Sequence, residues 1–130
     1  MAEDRRRVYL AGPIFQQSDA TCNDWRAQFK ACELFFWMDP MARDFRGKED
    51  KAFREIVEGD KADVDSCHAV VAKVEPTSAG TSMEIVWAWL NDTPIIAICA
   101  GRVSPWVRYH ATDICANEET ALQKLKELFA

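Results

Sequence analysis

The sequence lacks the features of several large protein classes. No apolar stretch approaches the roughly 18 residues of a membrane-spanning helix, and the charged N-terminus leads only into a short apolar run, unlike a signal peptide. The 16 basic and 21 acidic residues give a net charge of −5, which argues against binding to a nucleic-acid backbone. We therefore expect a cytoplasmic protein that binds neither membranes nor nucleic acid.

Metal-binding and disulfide patterns are also missing. The two histidines, His68 and His110, show no metal-ligand spacing, and none of the five cysteines forms a Cys-x-x-Cys pair. The cysteine count is odd, so a disulfide framework is not indicated, and free thiols in a reducing compartment are expected. The sequence predicts no metal site and no cofactor.

What is present is an alternation of short apolar runs with helical periods. The apolar runs read as strands span 8–11, 34–38, 68–74 and 94–99. The predicted helices span about 19–34, 48–66 and 81–91, with a fourth opening at Ser104 and a last one near 122–129, whereas 41–48 is predicted as a loop. This order predicts one α/β domain over 1–130 with a mostly parallel sheet, whose ligand binds where the strands end.

Asp60 is a charged residue on an apolar helix face. It follows Phe53 by seven residues and Ile56 by four, which places all three on one stripe of the predicted helix 48–66. Either the helix ends before Asp60 and leaves it in solvent, or the carboxylate lies at the edge of a pocket.

Glu84 has two interpretations. Thr81 and Glu84 fit a T-x-x-E capping box, in which the carboxylate binds the backbone at the helix start. Alternatively, Glu84 lies in the first turn of a helix that follows a buried strand, where the helix dipole favours an ionised carboxylate that can act as a nucleophile.

Smaller groups cluster at the same predicted edge. Tyr9 lies near the end of the first strand, where it either packs or orients a carboxylate with its hydroxyl. Gly12 and Ile14 follow that strand and could direct backbone N–H groups at a phosphate. Ser78 and Ser104 offer hydroxyl donors in two further loops, although Ser104 also fits a helix N-cap before proline.

Together these segments resemble the nucleoside 2-deoxyribosyltransferase-like family. The resemblance spans residues 8 to about 105 and rests on VYLAGPIF, EGDKADVDSCHAVVAKVEPTSAGTSMEI and TPIIAIC. Its specific part is the order of Asp60, the AVVA strand and the GTxxE helix. The resemblance implies a doubly wound, flavodoxin- or Rossmann-like sheet of five parallel strands and a homodimer whose neighbouring subunit completes the site.

The resemblance also implies roles for individual residues. Glu84 would attack C1′ of a nucleoside or nucleotide, Asp60 would protonate the leaving base, and Tyr9 would support Glu84. This parallels retaining glycosidases, where a covalent glycosyl-enzyme is resolved by an acceptor, either water or a second base. The residues implied to contact the substrate are Gly12, Ile14, Phe15, Ser78, Gly80 and Ser104.

Ser78 favours one branch of the family. Deoxyribosyltransferases place an aspartate six residues before the nucleophile, whereas the nucleoside 5′-monophosphate hydrolases place a serine there, and a serine can donate to a phosphate. The GRVS segment with Ser104 similarly resembles a hydrolase loop that reaches the neighbouring subunit's phosphate. We expect release of free base and (deoxy)ribose 5-phosphate from a monophosphate.

Several alternatives stay open at this point. They are base exchange between deoxynucleosides, a nucleotide-binding sensor without turnover, and a cytokinin-type nucleotide hydrolase, whose PGGxGT run differs from the 76–81 segment here. Candidates for stacking on the base are Phe15, Phe36, Trp37 and Phe45, with core packing favoured for the middle two.

Overall fold

A computed structural model describes residues 4–130 and contains a five-stranded sheet. All neighbouring strands pair in parallel, in the order β2-β1-β3-β4-β5. The strands are β1 (Arg7–Ala11), β2 (Phe36–Met38), β3 (Ala69–Lys73), β4 (Ile95–Ile98) and β5 (Asp113–Cys115). The helices are α1 (Asp19–Lys30), α2 (Glu49–Ser66), α3 (Ala79–Leu90), α4 (Pro105–His110) and α5 (Glu118–Leu128), with a short 3₁₀ helix at Pro40–Arg43. The predicted fold class is confirmed.

Helices cover both faces of the sheet, which explains why the central strands are continuous apolar runs. On one face, Leu10 packs in a buried cluster with Phe29 of α1 and Leu125 of α5. On the other face, Val70 belongs to a cluster that includes Val64 of α2 and Ile85 of α3. The fold is therefore doubly wound.

The strand order creates a crevice at the carboxyl end of β1. This strand pairs with β2 on one side and β3 on the other, and the helices that follow β1 and β3 lie on opposite faces. Ligands of such sheets bind at this switch point. Among residues 4–130, none of the helices is long and apolar enough to cross a membrane.

Three local predictions differ from the structure. The first helix ends at Lys30, well before residue 34. Part of the predicted loop 41–48 is the 3₁₀ helix Pro40–Arg43, because Asp39 accepts a hydrogen bond from the Met41 N–H and caps it. The strand β5 is absent from the periodicity pattern, since three residues are too few to show an alternation.

Candidate active site

Three side chains from three elements meet at the switch point. The Tyr9 hydroxyl of β1 donates a hydrogen bond to Glu84 Oε2 of α3, and the carboxyl group of Glu84 is also hydrogen-bonded to that of Asp60 on α2. Tyr9 is fully buried, whereas both carboxyl groups are half-buried. The structure thus brings together the three residues that the sequence singled out for catalysis.

Glu84 does not form the predicted capping box. Helix α3 begins at Ala79, and its N-cap is Ser78, whose Oγ accepts a hydrogen bond from the Thr81 N–H. Glu84 therefore lies in the second turn, where the helix dipole has largely faded. The first-turn placement was wrong, and the carboxylate is free to bind Tyr9 and Asp60.

Asp60 lies within helix α2, after a kink at Ala52. Helix α2 continues to Ser66, so the interpretation in which it ends before Asp60 is wrong. The apolar stripe that includes Asp60 enters the core only after Asp60, where Val64 is fully buried, because before it Phe53 is 55% exposed and Val57 is 49% exposed. Part of this face instead lines a cavity between α2 and α3.

The two carboxyl groups share one proton. Burial raises the pKa of Glu84 to about 8, with further contributions from the charge of Asp60 and from their hydrogen bond, while the hydrogen bond from Tyr9 opposes them. Burial also raises the pKa of Asp60, but a hydrogen bond and the charge of Arg43 oppose this rise. The resting pair therefore carries its proton on Glu84 near neutral pH.

Tyr9 is suited to remain a donor. Burial raises the pKa of its hydroxyl well above the usual value, and the neighbouring charges of Glu84 and Asp60 raise it further. The phenol thus keeps its proton and directs it at Glu84. A hydrogen bond to the ionised form of a carboxyl group stabilises that form.

An apolar cavity of about 410 Å³ opens beside the carboxyl pair. Its size is in the range of small-molecule sites, and Asp60 and Glu84 are the acidic groups in its wall. The other lining residues include Phe15, Ile56, Gly80, Met83, Trp87 and Leu90. Lys61 also lines this cavity, and the combination of largely apolar walls with two acidic groups suits a flat organic ring held next to a reacting atom.

Some of the residues predicted to contact the substrate line this cavity, and others lie in the loop after β1. Phe15 and Gly80 line the cavity with Glu84. Gly12 is buried where β1 ends, and a side chain there would lie 2.6 Å from Trp25 Cζ2, so the loop backbone packs directly on that ring. The carbonyl of Ile14 accepts from the Gln17 N–H, which closes a turn in the same loop.

The two predicted phosphate-binding serines do not line the Glu84 cavity. Ser78 caps α3, and Ser104 caps α4 by accepting from the Trp106 N–H. Ser104 borders a second cavity of about 570 Å³, lined by α3 residues and by α4. Within one chain, Ser104 and Glu84 thus belong to different cavities.

Of the four stacking candidates, Phe15 alone lines the cavity beside the carboxyl pair. Trp37 packs against the core as expected. Phe36 is 42% exposed on β2, so its expected core packing was wrong. Phe45 is half-buried elsewhere.

Two arginines at the site were missed from the sequence. Arg43 Nη2 lies 3.1 Å from Asp60 Oδ1. Arg26 is 1% exposed and donates to the carbonyls of Leu10 and Gly12, which fixes the loop after β1. Arg26 could have been recognised from the sequence as a charged residue beside Trp25 on an apolar helix face. The predicted loop contains no pattern that indicates a role for Arg43.

The fold and the site define an α/β protein with a carboxyl pair over a ligand-sized cavity. The sequence pattern of the family described as nucleoside 2-deoxyribosyltransferase matches residues 8–120. The chain belongs to this family, and the resemblance drawn from its motifs is confirmed. It is therefore an enzyme of this class, acting as a nucleoside deoxyribosyltransferase or an N-glycosidase.

Solved structures share the fold at low sequence identity. A conserved protein from Enterococcus faecalis is 17% identical with a TM-score of 0.70, over 95% of this chain and 98% of that one. A 2-deoxyribosyltransferase from Bacillus psychrosaccharolyticus is 10% identical with a TM-score of 0.70, over 88% of each chain. The CMP N-glycosidase BcmB of Clostridium botulinum is 19% identical with a TM-score of 0.59, over 93% of this chain and 99% of that one. No curated protein sequence matches the chain.

The raised pKa of Glu84 predicts a pH-dependent cost to stability. In the unfolded chain Glu84 ionises near pH 4.5, whereas in the folded protein it keeps its proton to about pH 8. The folded state thus binds more protons than the unfolded state between these values, and wild-type stability falls as pH rises through that window. Because glutamine does not titrate, we expect Glu84→Gln to melt several degrees above wild type at pH 8 and at a similar temperature below pH 4.5.

Thermal unfolding followed by circular dichroism measures this difference. Glu58→Gln, at an exposed position of α2, is the matched control and should leave the melting temperature unchanged at both pH values. An equal melting temperature for Glu84→Gln and wild type at pH 8 would contradict a protonated Glu84.

Proposed function

We propose that the protein hydrolyses the N-glycosidic bond of a (deoxy)nucleoside 5′-monophosphate, releasing the free base and (deoxy)ribose 5-phosphate. The observation that carries the proposal is the carboxyl pair of Asp60 and Glu84, which shares one proton beside an apolar cavity. A glycosidase needs one ionised carboxylate and one carboxylic acid at the same bond. A singly protonated pair supplies both groups.

The proposed reaction has two steps. Glu84 attacks C1′ while the bond from C1′ to the base nitrogen breaks, and Asp60 gives its proton to the departing base. Asp60, now ionised, then takes a proton from a water molecule whose oxygen attacks C1′. The bond between C1′ and Glu84 breaks in this step, which returns both carboxyl groups to their starting protonation.

Two changes must accompany substrate binding in this mechanism. The proton has to move from Glu84 to Asp60, a transfer along the existing hydrogen bond. The carboxyl groups also have to separate, because those of retaining glycosidases lie about 5 Å apart with the scissile bond between them. The hydrogen bond from Tyr9 stabilises the ionised form of Glu84 that results.

Ser78 supports the choice of hydrolase over transferase. Ser78 is the N-cap of the helix that carries Gly80 and Glu84. Its hydroxyl can donate a hydrogen bond to a phosphate, whereas an aspartate at this position would repel the phosphate. The similarity to a CMP N-glycosidase over nearly the full length of both chains agrees with this choice. Base exchange between deoxynucleosides is the second candidate, supported by the similarity to a 2-deoxyribosyltransferase.

A panel of substrates tests the proposed function. We expect chromatography to show base release from at least one 5′-monophosphate in water alone, and little release from the corresponding nucleoside. Ser78→Asp is the diagnostic variant, because a carboxylate repels a phosphate. It should lower monophosphate turnover far more than nucleoside turnover.

The outcomes of the panel are distinct. Exchange that occurs only with deoxynucleosides and an added acceptor base would replace the hydrolase with the transferase. Absence of release from every substrate would favour a nucleotide-binding sensor. If Ser78→Asp lowers the turnover of monophosphates and nucleosides equally, Ser78 does not contact the phosphate and gives no support to the hydrolase.

We further propose that two chains pair and that the neighbouring subunit completes each site. Large apolar side chains lie exposed around the cavity on α2 and α3 and on α4, an area where a monomer would be expected to be polar. They are Phe53, Val57, Met83, Leu90, Trp106 and Tyr109, of which Met83, Trp106 and Tyr109 are more than 70% exposed. A partner on this surface could bring its Ser104 to the cavity beside Glu84, which Ser104 does not line within its own chain.

Light scattering tests the dimer. The mass in solution should be twice the 14.8 kDa of one chain. A fully active protein of single-chain mass would contradict a site completed by a second subunit.

A further inference from the structure

One arginine connects the carboxyl pair to a third carboxylate. Arg43, the last residue of the 3₁₀ helix, directs the same nitrogen, Nη2, at Asp60 Oδ1 over 3.1 Å and at Asp63 Oδ2 over 2.8 Å. Asp60 and Asp63 are neighbours on one face of α2, one turn apart. Arg43 thus has two alternative acceptors, of which only Asp60 belongs to the pair with Glu84.

Gly59 provides the space for this arginine. A side-chain carbon at position 59 would lie 3.0 Å from Arg43 Nε and 3.2 Å from its Cζ and Nη2, closer than ordinary packing allows. A glycine inside a helix is less favourable than alanine. This cost is understandable here because the missing side chain lets the guanidinium lie against the helix backbone.

Charged and titratable groups face Asp60 from its own helix and from the elements that pack against it. Glu84 faces it from α3 and Arg43 from the 3₁₀ helix, while Asp63 lies on its own helix; the hydroxyl of Tyr9 on β1 is close enough to feel its charge. Arg43 is the cation that acts on Asp60, whereas the charge of Arg26 on α1 acts on Glu84 and lowers its pKa. Arg43 favours an ionised Asp60 and so leaves the shared proton on Glu84, although the proposed reaction needs the reverse distribution.

We propose that Arg43, seated against Gly59 and shared between Asp60 and Asp63, is a positioning residue that determines which carboxyl group of the Asp60–Glu84 pair holds the proton. With Arg43 on Asp60, the pair rests with Glu84 protonated. With Arg43 moved wholly to Asp63, Asp60 takes the proton and Glu84 becomes the free anion. The catalytic role of Arg43 rests on the proposed function, whereas its effect on the distribution of the proton between Asp60 and Glu84 does not.

The proton distribution can be measured without any substrate. Carbon-13 NMR of the side-chain carboxyl groups, in the full chain labelled at Asp and Glu, follows each ionisation, with Asp60→Asn and Glu84→Gln giving the assignments. In wild type, the ionisation at high pH should appear on Glu84. In Arg43→Met, which removes the charge but keeps an unbranched side chain, the Asp60 midpoint should rise by about one pH unit or more, and Asp60 should share the high-pH ionisation.

The second variant should act in the opposite direction. Asp63→Asn removes the competing acceptor and a nearby negative charge, so the Asp60 midpoint should fall while Glu84 keeps the proton.

Gly59→Ala, which displaces the guanidinium, should resemble Arg43→Met with a smaller shift, and it keeps the test available if Arg43→Met does not fold. Arg46→Met removes an equal charge from an ion pair with Asp44 and should change neither midpoint.

Opposite shifts in the Arg43 and Asp63 variants would support the proposal. Unchanged midpoints in Arg43→Met and Gly59→Ala, or shifts of the same sign in Arg43→Met and Asp63→Asn, would overturn it, because a merely structural Arg43 alters stability without redistributing the proton. Failure of the proposed function would show instead as absent base release by wild type, with the NMR shifts unaffected.

Discussion

Two carboxyl groups in hydrogen-bond contact cannot both ionise cheaply, and the organisation of the site follows from this constraint. Asp60 and Glu84 meet in a half-buried position, where desolvation and mutual repulsion keep one proton between them. Such a pair contains a base and an acid at the same time. It also costs folding free energy above pH 4.5, a cost characteristic of active sites rather than of structural ion pairs.

The surrounding structure holds this unfavourable pair in place. Ser78 caps α3 and so leaves Glu84 free of the backbone, while α2, which continues past Asp60 to Ser66, presents Asp60 from the other side of the cavity. The fully buried Tyr9 reaches Glu84 from β1. Arg26 binds the carbonyls at the end of the same strand, which fixes the loop that carries Phe15 into the cavity wall.

The sequence predicted the fold and singled out the three side chains that meet at the switch point, but it predicted less of their local context. β3 and β4 were predicted because burial on both faces makes them continuous apolar runs, whereas β5 has three residues and left no pattern. The helix start was predicted at Thr81 because Thr81 and Glu84 fit a capping box, whereas in the structure Ser78, which is also a good cap, begins the helix. Arg43 was missed because its partners are 17 and 20 residues away on another helix, a contact that only tertiary packing creates.

The proposed mechanism requires that Glu84 becomes covalently attached to the sugar. Acid quenching during steady turnover of an active monophosphate, followed by mass spectrometry of proteolytic fragments, tests it directly. We expect an added pentose phosphate on the fragment that contains Glu84, and no such adduct in Glu84→Gln. Undiminished base release by Glu84→Gln, or an adduct on a different residue, would rule out Glu84 as the nucleophile.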